Sequence, residues 1–387
     1  MFFLNYINQM LYFCKMNFSF WENKNWFSEI DFSIIGSGIV GLHTALRLRE
    51  LYPESKIVIF EKGVLPQGAS TKNAGFACFG SLSEILDDFE KHSEEEILKL
   101  VKRRWEGLQL LRKRLGDKVI DFQQNGGYEL FFDKDTEMYE KCLDNLPKVN
   151  RMLSDYFGSE VFSIKPDVFG FGKCKEKLIF NPFEGQIDTG NMMQNLLKEV
   201  YKNNILILNK QELMSFQDLG NKVELNFEDF TVSSKKVLFA TNGFSSEITN
   251  NEVIPARAQV LITKPIPNLH IKGIFHIDEG FYYFRNFENR LLLGGARNID
   301  FETETTTEFI LNKKIQNRLD EVLKNVILPN TKFEIEQRWS GIMGMGKSKT
   351  PIVKQLSDNV FCGVRLGGIG IAIGSLIGKE LAELTKT

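Results

Sequence analysis

The stretch that most constrains this chain is DFSIIGSGIVGLHTALRLRE, residues 31–50, followed by KIVIFEK, residues 56–62. An apolar run, Phe32 to Ile35, enters a turn carrying Gly36, Gly38 and Gly41. A helical pattern follows at once, with Leu42, Ala45, Leu46 and Leu48 on one face, and a second apolar run, Ile57 to Phe60, ends on Glu61. Strand, glycine turn, helix, strand and an acid about twenty residues beyond the third glycine make the dinucleotide-binding βαβ unit. Gly36 permits the tight turn, Gly38 leaves the backbone open to a pyrophosphate, and Gly41 lets the helix pack close to the strand. Backbone N–H groups of Ser37, Ile39 and Val40 and the positive end of the helix face the phosphates. The Glu61 carboxylate, followed by Lys62, accepts hydrogen bonds from a ribose and repels a 2′-phosphate.

At 387 residues the chain is long enough for about two domains. Its 43% hydrophobic and 25% charged residues are an ordinary globular balance, and a net charge of −2 argues against nucleic acid as a partner. The five cysteines are scattered and never spaced CxxC, against a disulfide framework or zinc site and for a reducing, cytoplasmic setting. None of the four histidines forms an HxxxH pair, so no metal is expected, and His43 reads as a satisfied packing residue. Residues 1–15 are apolar without a basic start or cleavage site, and short for a stable membrane span. Residues 1–27 are therefore read as an N-terminal extension, either disordered at its start or with translation beginning at Met16.

Further along, the loop from Gly63 to Ser81 carries Ser70, Thr71 and Asn73, each suited to a phosphate or a ring. Residues 83–117 read as helix, with a capping box at Ser93 and Glu96, and residues 135–153 and 308–326 read as two more. ATNG, with Thr241, Asn242 and Gly243, ends a strand region, and residues 253–297 are strand-rich. The final strand feeds a glycine turn and an apolar helix, a second anion-binding helix end. With no repeat or low-complexity linker, the domains are expected to interleave.

Together GxGxxG…E, GAS-x-x-N-x-G, EGQIDTG, ATNGF, RLLLGGA and the final LGGIG resemble the FAD-dependent D-amino acid oxidase-like family of amine and amino acid oxidoreductases, from about Phe20 to Leu384. The resemblance implies an α/β fold: an FAD-binding, Rossmann-like doubly wound domain interleaved with an α+β substrate domain on an antiparallel sheet. It assigns residues 28–88, 175–247 and 335–387 to the first and 89–174 and 248–334 to the second. It places the pyrophosphate on Gly36–Gly41, the ribose on Glu61, Ser70 to Gly75 (with Ala74) toward the isoalloxazine ring, and Leu213 at the adenine. Arg365, Gly367, Gly368, Ile369, Gly370 and Ile371 are placed at the flavin pyrimidine edge.

Two departures bear on substrate. Relatives acting on α-amino acids often carry an arginine after WxG, where this chain has Ile342 and Met343; the spacing and the YFR…RLLLGG segment look more like the γ-glutamylputrescine oxidase branch, with glycine oxidases nearby. The segment also lacks a cysteine, so the FAD is expected to be non-covalent. The implied reaction is oxidation of a C–N bond by hydride transfer to flavin N5 and hydrolysis of the imine, with oxygen or an electron carrier as acceptor. Tyr283, Arg285, Arg257, Trp339 and Met343 are the expected substrate-side residues, and no histidine stands out as acid or base. Oxidation of a 2-hydroxy acid, or a flavin-binding interaction protein without turnover, are the alternatives.

Overall fold

The computed structural model describes residues 18–386; the expectations for residues 1–15 and for a start at Met16 lie outside them. In chain order the elements are β1 (Ile30–Ile35), α1 (Ile39–Leu51), β2 (Ile57–Glu61), β3 (Phe76–Ala77), α2 (Leu82–Phe89), α3 (Glu94–Leu115) and β4 (Gly127–Leu130). There follow α4 (Thr136–Phe157), β5 (Ser163–Pro166), β6 (Lys177–Asn181), β7 (Gly185–Gln186), α5 (Thr189–Lys202), β8 (Leu206–Asn209), β9 (Leu213–Asp218), β10 (Val223–Phe227) and β11 (Thr231–Phe239). The rest are β12 (Ile254–Thr263), β13 (Ile274–Ile277), β14 (Tyr282–Phe287), β15 (Arg290–Gly295), α6 (Lys313–Val322), β16 (Ile335–Met345), β17 (Ile352–Ser357), β18 (Val360–Val364) and α7 (Gly370–Glu383).

One sheet has the order β17-β18-β11-β1-β2-β8, parallel from β18 to β8, with β10 attached to β11 and β9 to β10. Its central strands are covered on both faces, which is why β2 is apolar from Ile57 to Phe60 rather than alternating. The other sheet, β16-β12-β15-β14-β13-β4-β6-β5, is antiparallel except between β13 and β4. Here alternation decides everything. Phe275, Ile277, Tyr282 and Phe284 pack against Leu319 and Val322 of α6, while the intervening side chains turn to the opposite face. The α/β architecture expected from the sequence is therefore present.

β6 and β16 belong to the second sheet, beyond the expected limits at 175 and 335. Each is the strand on which the chain leaves that sheet, so we propose domain cuts after Asn181 and Met345. Helix limits also differ from the sequence expectation. The span 83–117 is broken between Phe89 and Glu94, because Ser93 and Glu96 cap a fresh helix rather than continue one. The helix expected from 308 begins only at Lys313, where the Asn312 side chain accepts from Lys314 N.

What fixes the first domain is a close pair of helices. A Cβ on Gly374 of α7 would come 2.6 Å from Ile39 of α1, and one on Gly378 would come 2.6 Å from His43 Cβ and 2.7 Å from Val40 O. α3 docks on the same helix: a Cβ on Gly107 would lie 2.3 Å from Ala372 O, and Ser375 Oγ donates to Gly107 O. Gly107→Ala should therefore destabilise the protein by about 1–3 kcal/mol, the usual cost of overpacking. Urea unfolding checks this, and an unchanged midpoint would show that the helices separate freely.

Candidate active site

Gly36 adopts φ +102°, and a Cβ there would meet Ala240 O at 3.0 Å, so the turn requires glycine. A Cβ on Gly41 would sit 1.9 Å from Gly36 O, which confirms its packing role. Ser70 Oγ accepts from Ile39 N–H at 2.9 Å, binding the second loop to the first turn of α1. Glu61 is buried: Oε2 accepts from Ser37 N (3.0 Å) and Ser37 Oγ (2.7 Å), and Oε1 accepts from Gly63 N (2.9 Å). These bonds aim the carboxylate and leave it acceptor capacity for a hydroxyl.

A cavity of about 860 Å³ begins beside Glu61 and β9, including Leu213, and passes both helix N-termini to the second sheet. Gly36, Gly38, Ile39, Val40, Lys62, Ser70, Asn73 and Ala74 line it, as do Thr241 to Gly243, Arg365 and residues 367–371. Ser37, Gly41, Thr71 and Gly75 stand behind the wall: Thr71 Oγ1 donates to Pro66 O, and Gly75, at φ +74°, backs onto Ile187 O. Arg365 is held by backbone carbonyls, through Nε to Thr350 O (2.9 Å), rather than by a carboxylate. Two helix dipoles and an acid at one end fit an extended dinucleotide, with Ser70 Oγ holding Ile39 N–H at the place expected for its phosphates.

The far wall is the second sheet. Register sets Glu129, His276, Tyr283, Gly294, Val260 and Trp339 side by side across five strand pairs. Tyr283 and Met343 line the cavity, whereas Arg285, Arg257 and Trp339 do not. Arg285 shares Tyr283's face but lies beneath Gly75, where Asp188 and Asp121 partly offset the burial that lowers it to about 10. Arg257 is buried in an ion pair with Glu304 at 2.8 Å. Trp339 Nε1 donates to Lys72 O at 2.9 Å and is covered by that loop.

The sequence reading missed His276, which lines the cavity with Cys78, Glu84, Arg104 and Lys349. Its Nε2 lies 3.4 Å from Glu184 Oε2, without hydrogen-bond alignment, and its Nδ1 lies 3.7 Å from Glu84 Oε2. Burial lowers the imidazole, but Glu184, Glu84 and Glu129 outweigh that and raise it to about 9. Cys78, Glu184 and His276 converge within 4.8 Å, yet buried Arg104 beside them already supplies positive charge, favouring an ion network over a metal centre. His276 was visible in the alternation of GIFHID against FYYFR; its partners, on distant segments, were not. His43, read as a satisfied packing histidine, is buried with both ring nitrogens unpartnered, and burial lowers it to about 3.

The candidate site thus sets a cradle suited to a dinucleotide opposite a wall on a separate sheet. The model of the FAD dependent oxidoreductase family matches residues 31–384, so the chain belongs to that family and is an FAD-dependent enzyme. It is 22% identical over 379 residues to the probable oxidoreductase OrdL of Haemophilus influenzae, covering 91% of this chain and 82% of that one. It is 21% identical over 373 residues to the gamma-glutamylputrescine oxidoreductase of Escherichia coli, covering 92% and 83%. Among solved structures, glycine oxidase from Geobacillus kaustophilus superposes with a TM-score of 0.73 at 17% identity, covering 92% and 95%. No helix of the described residues is long and apolar enough to cross a membrane.

These shifts make stability depend on pH. His276, raised to about 9, stabilises the fold fully below its unfolded value of 6.5, and that contribution is lost as pH rises through 9. His43, lowered to about 3, acts oppositely: the unfolded chain gains a proton below 6.5 and stability falls toward pH 3. Thermal midpoints should therefore decline as pH rises from 6.5 through 9, and that alkaline decline should be reduced in His276→Gln.

Proposed function

We propose that the protein oxidises the C–N bond of a small amine or amino acid, and that the residues around the cavity hold FAD as the sequence pattern assigns them. The observation that carries this reading is one continuous cavity joining the Glu61 cradle to a wall built from Tyr283, His276 and Met343. When bound, FAD supplies the oxidising chemistry by accepting a hydride at N5 from the carbon that bears nitrogen, and water then hydrolyses the imine to a carbonyl compound. The α1 N-terminus, with Gly38, Val40 and Ser70, faces the pyrophosphate, Glu61 the ribose, and the α7 N-terminus favours negative charge on the flavin pyrimidine edge. Tyr283, its hydroxyl pushed up to about 12 by burial, stays neutral and positions substrate beside the ring. The four cysteines among the described residues are unpaired, which suits a cytoplasmic setting, and oxygen or an electron carrier serves as acceptor.

Met343 offers no charge where amino acid-oxidising relatives often carry arginine. Arg297, which also lines the cavity and rests on Phe301 at 4.7 Å, is one of the cations the cavity presents. Arg297→Ala should raise KM for a carboxylate-bearing substrate by roughly 10- to 100-fold and leave a simple amine unchanged. Equal KM values for parent and variant would remove it from the site.

Cys78, the cysteine at the cavity, has its thiol pushed well up by burial and by Glu184 and Glu84, which makes it a poor nucleophile toward flavin. Denaturation should release all the flavin, and yellow colour retained on the polypeptide would refute non-covalent binding. Glu61→Gln should weaken FAD binding about tenfold, measured by equilibrium dialysis. The decisive experiment is anaerobic mixing of the holoenzyme with glycine, sarcosine, iminodiacetate, putrescine, γ-glutamylputrescine and lactate. Bleaching of the flavin by an amine, with release of ammonia or a smaller amine, is expected. Bleaching by lactate alone would establish a 2-hydroxy acid oxidase, and no bleaching at all a flavin-binding protein without turnover.

A further inference from the structure

The β13–β14 hairpin turns on two residues, Glu279 and Gly280: Ile277 pairs with Tyr282, and Phe281 N donates to Asp278 O at 2.8 Å. Both turn residues have positive φ, +52° and +78°, as a type I′ turn requires, and asparagine before glycine is the favoured pair there. A glutamate in the left-handed region is strained, and such strain gathers at ligand sites. Glu279 lines the cavity. At the end of β15, Ala296, also left-handed at φ +62°, brings Arg297 to the same cavity. The two charges are fixed on one edge of the wall. Ala296 N donates to Phe281 O and Asn298 Nδ2 to Asp278 Oδ2, both at 2.8 Å, and Phe281 and Arg297 share the Phe301 ring at 5.7 and 4.7 Å.

Among the described residues neither Glu279 nor Arg297 makes a hydrogen bond or an ion pair through its charged group, although both are half-buried. Nearby charges are already engaged. Asp87 is paired with Lys91 (3.3 Å) and Lys349 (3.2 Å), and Lys349 also with Asp88 (2.7 Å). Glu84 accepts from Ser81 N (2.9 Å), and Arg104 donates to Phe79 O (2.8 Å). Glu304, the acid that acts on Arg297, is bound to Arg257 at 2.8 Å. The edge thus shows the cavity an unclaimed anion and an unclaimed cation side by side, and half-buried charges of this kind call for partners of opposite sign.

We propose that Glu279 and Arg297 form a clamp for a zwitterionic head group, an α-amino-carboxylate at the end of the substrate remote from the nitrogen that is oxidised. The inference rests on the amine reading above for the reacting end. The Arg297 guanidinium offers paired N–H donors to the carboxylate, and Glu279 accepts from the ammonium. Tyr283 and Gly294 are register partners, with Glu279 four residues from the first and Arg297 three residues from the second. At strand spacing that sets the clamp on the order of 10 Å from Tyr283. An α-amino acid carries its carboxylate on the very carbon to be oxidised and does not span this length. An amine borne on a chain extending from an amino acid does. The uncharged Met343 then has a reason, since the carboxylate is bound at the other end of the molecule.

Three putrescine amides with the same reacting amine test the clamp by anaerobic flavin reduction of the holoenzyme. γ-Glutamylputrescine carries both head charges, glutarylputrescine the carboxylate alone and γ-aminobutyrylputrescine the ammonium alone. The parent should show the lowest KM for γ-glutamylputrescine, by roughly tenfold over each of the others. Glu279→Gln should raise KM roughly tenfold for the two amides with a head ammonium and leave glutarylputrescine unchanged, with kcat held. Arg297→Ala should do the converse, sparing γ-aminobutyrylputrescine. Glu279→Lys should reverse the order of the two singly charged amides. Binding without turnover is read from the oxidised flavin spectrum on adding γ-glutamylbutylamide, which has the head group and no reacting amine, and each variant should weaken it. Equal KM values for the three amides in the parent, or equal changes for all three in a variant, overturn the clamp while leaving amine oxidation standing. Failure of every amine to reduce the flavin overturns the amine reading, and γ-glutamylbutylamide then decides the clamp alone: binding weakened in both variants upholds it, and no binding overturns it.

Discussion

Everything in this protein hangs on the contact between α1 and α7. Two helices with side chains at their crossing would stand well apart; here Gly374 and Gly378 bring the α7 backbone against Ile39, Val40 and His43. That closeness points both N-termini into one cavity, so the positive ends of two dipoles add in a single space suited to an anion. The cost is visible nearby. His43 has both nitrogens buried without partners, a polar penalty accepted because its Cβ is a contact surface for α7.

The second sheet works by the opposite principle. Its outward face is held by apolar packing on α6, whereas its inward face mixes charged, aromatic and glycine positions along one register row. Gly294 in that row makes room for the Tyr283 ring, which a Cβ would approach to 2.5 Å. The charges at the row's end are viable because nearly every member has a partner: Glu184 on two backbone N–H groups, Glu129 on two serines, Lys349 on Asp88. A half-paired cluster at this depth would destabilise the fold.

The nucleotide cradle was legible in the sequence because its chemistry is local. Glycines at 36, 38 and 41, an acid after the second strand and a glycine turn before the last helix each carry their meaning within a few residues. The substrate wall was less legible. Alternation put Tyr283 and Arg285 on one face, but did not tell which of the two meets the cavity and which is covered by the loop at Gly75. Trp339 was hidden in the same way by Lys72, and Arg257 by Glu304. His276 looked inert alone, since its character comes from Glu84, Glu129 and Glu184, on three other segments. The helix breaks before Glu94 and Lys313 were written in capping residues, although apolar spacing ran straight through them.

The two sheets are threaded through one another, and the helices that form the cradle lie near opposite ends of the described chain. α1 emerges from a ribosome well before α7, which follows the entire second sheet. Since domains fold as they emerge, β1, α1 and β2 must wait with one side of their core uncovered while the intervening segments are made. Cofactor capture thus waits for α7, and the apolar surface of α1 that awaits it is what a chaperone would meet meanwhile.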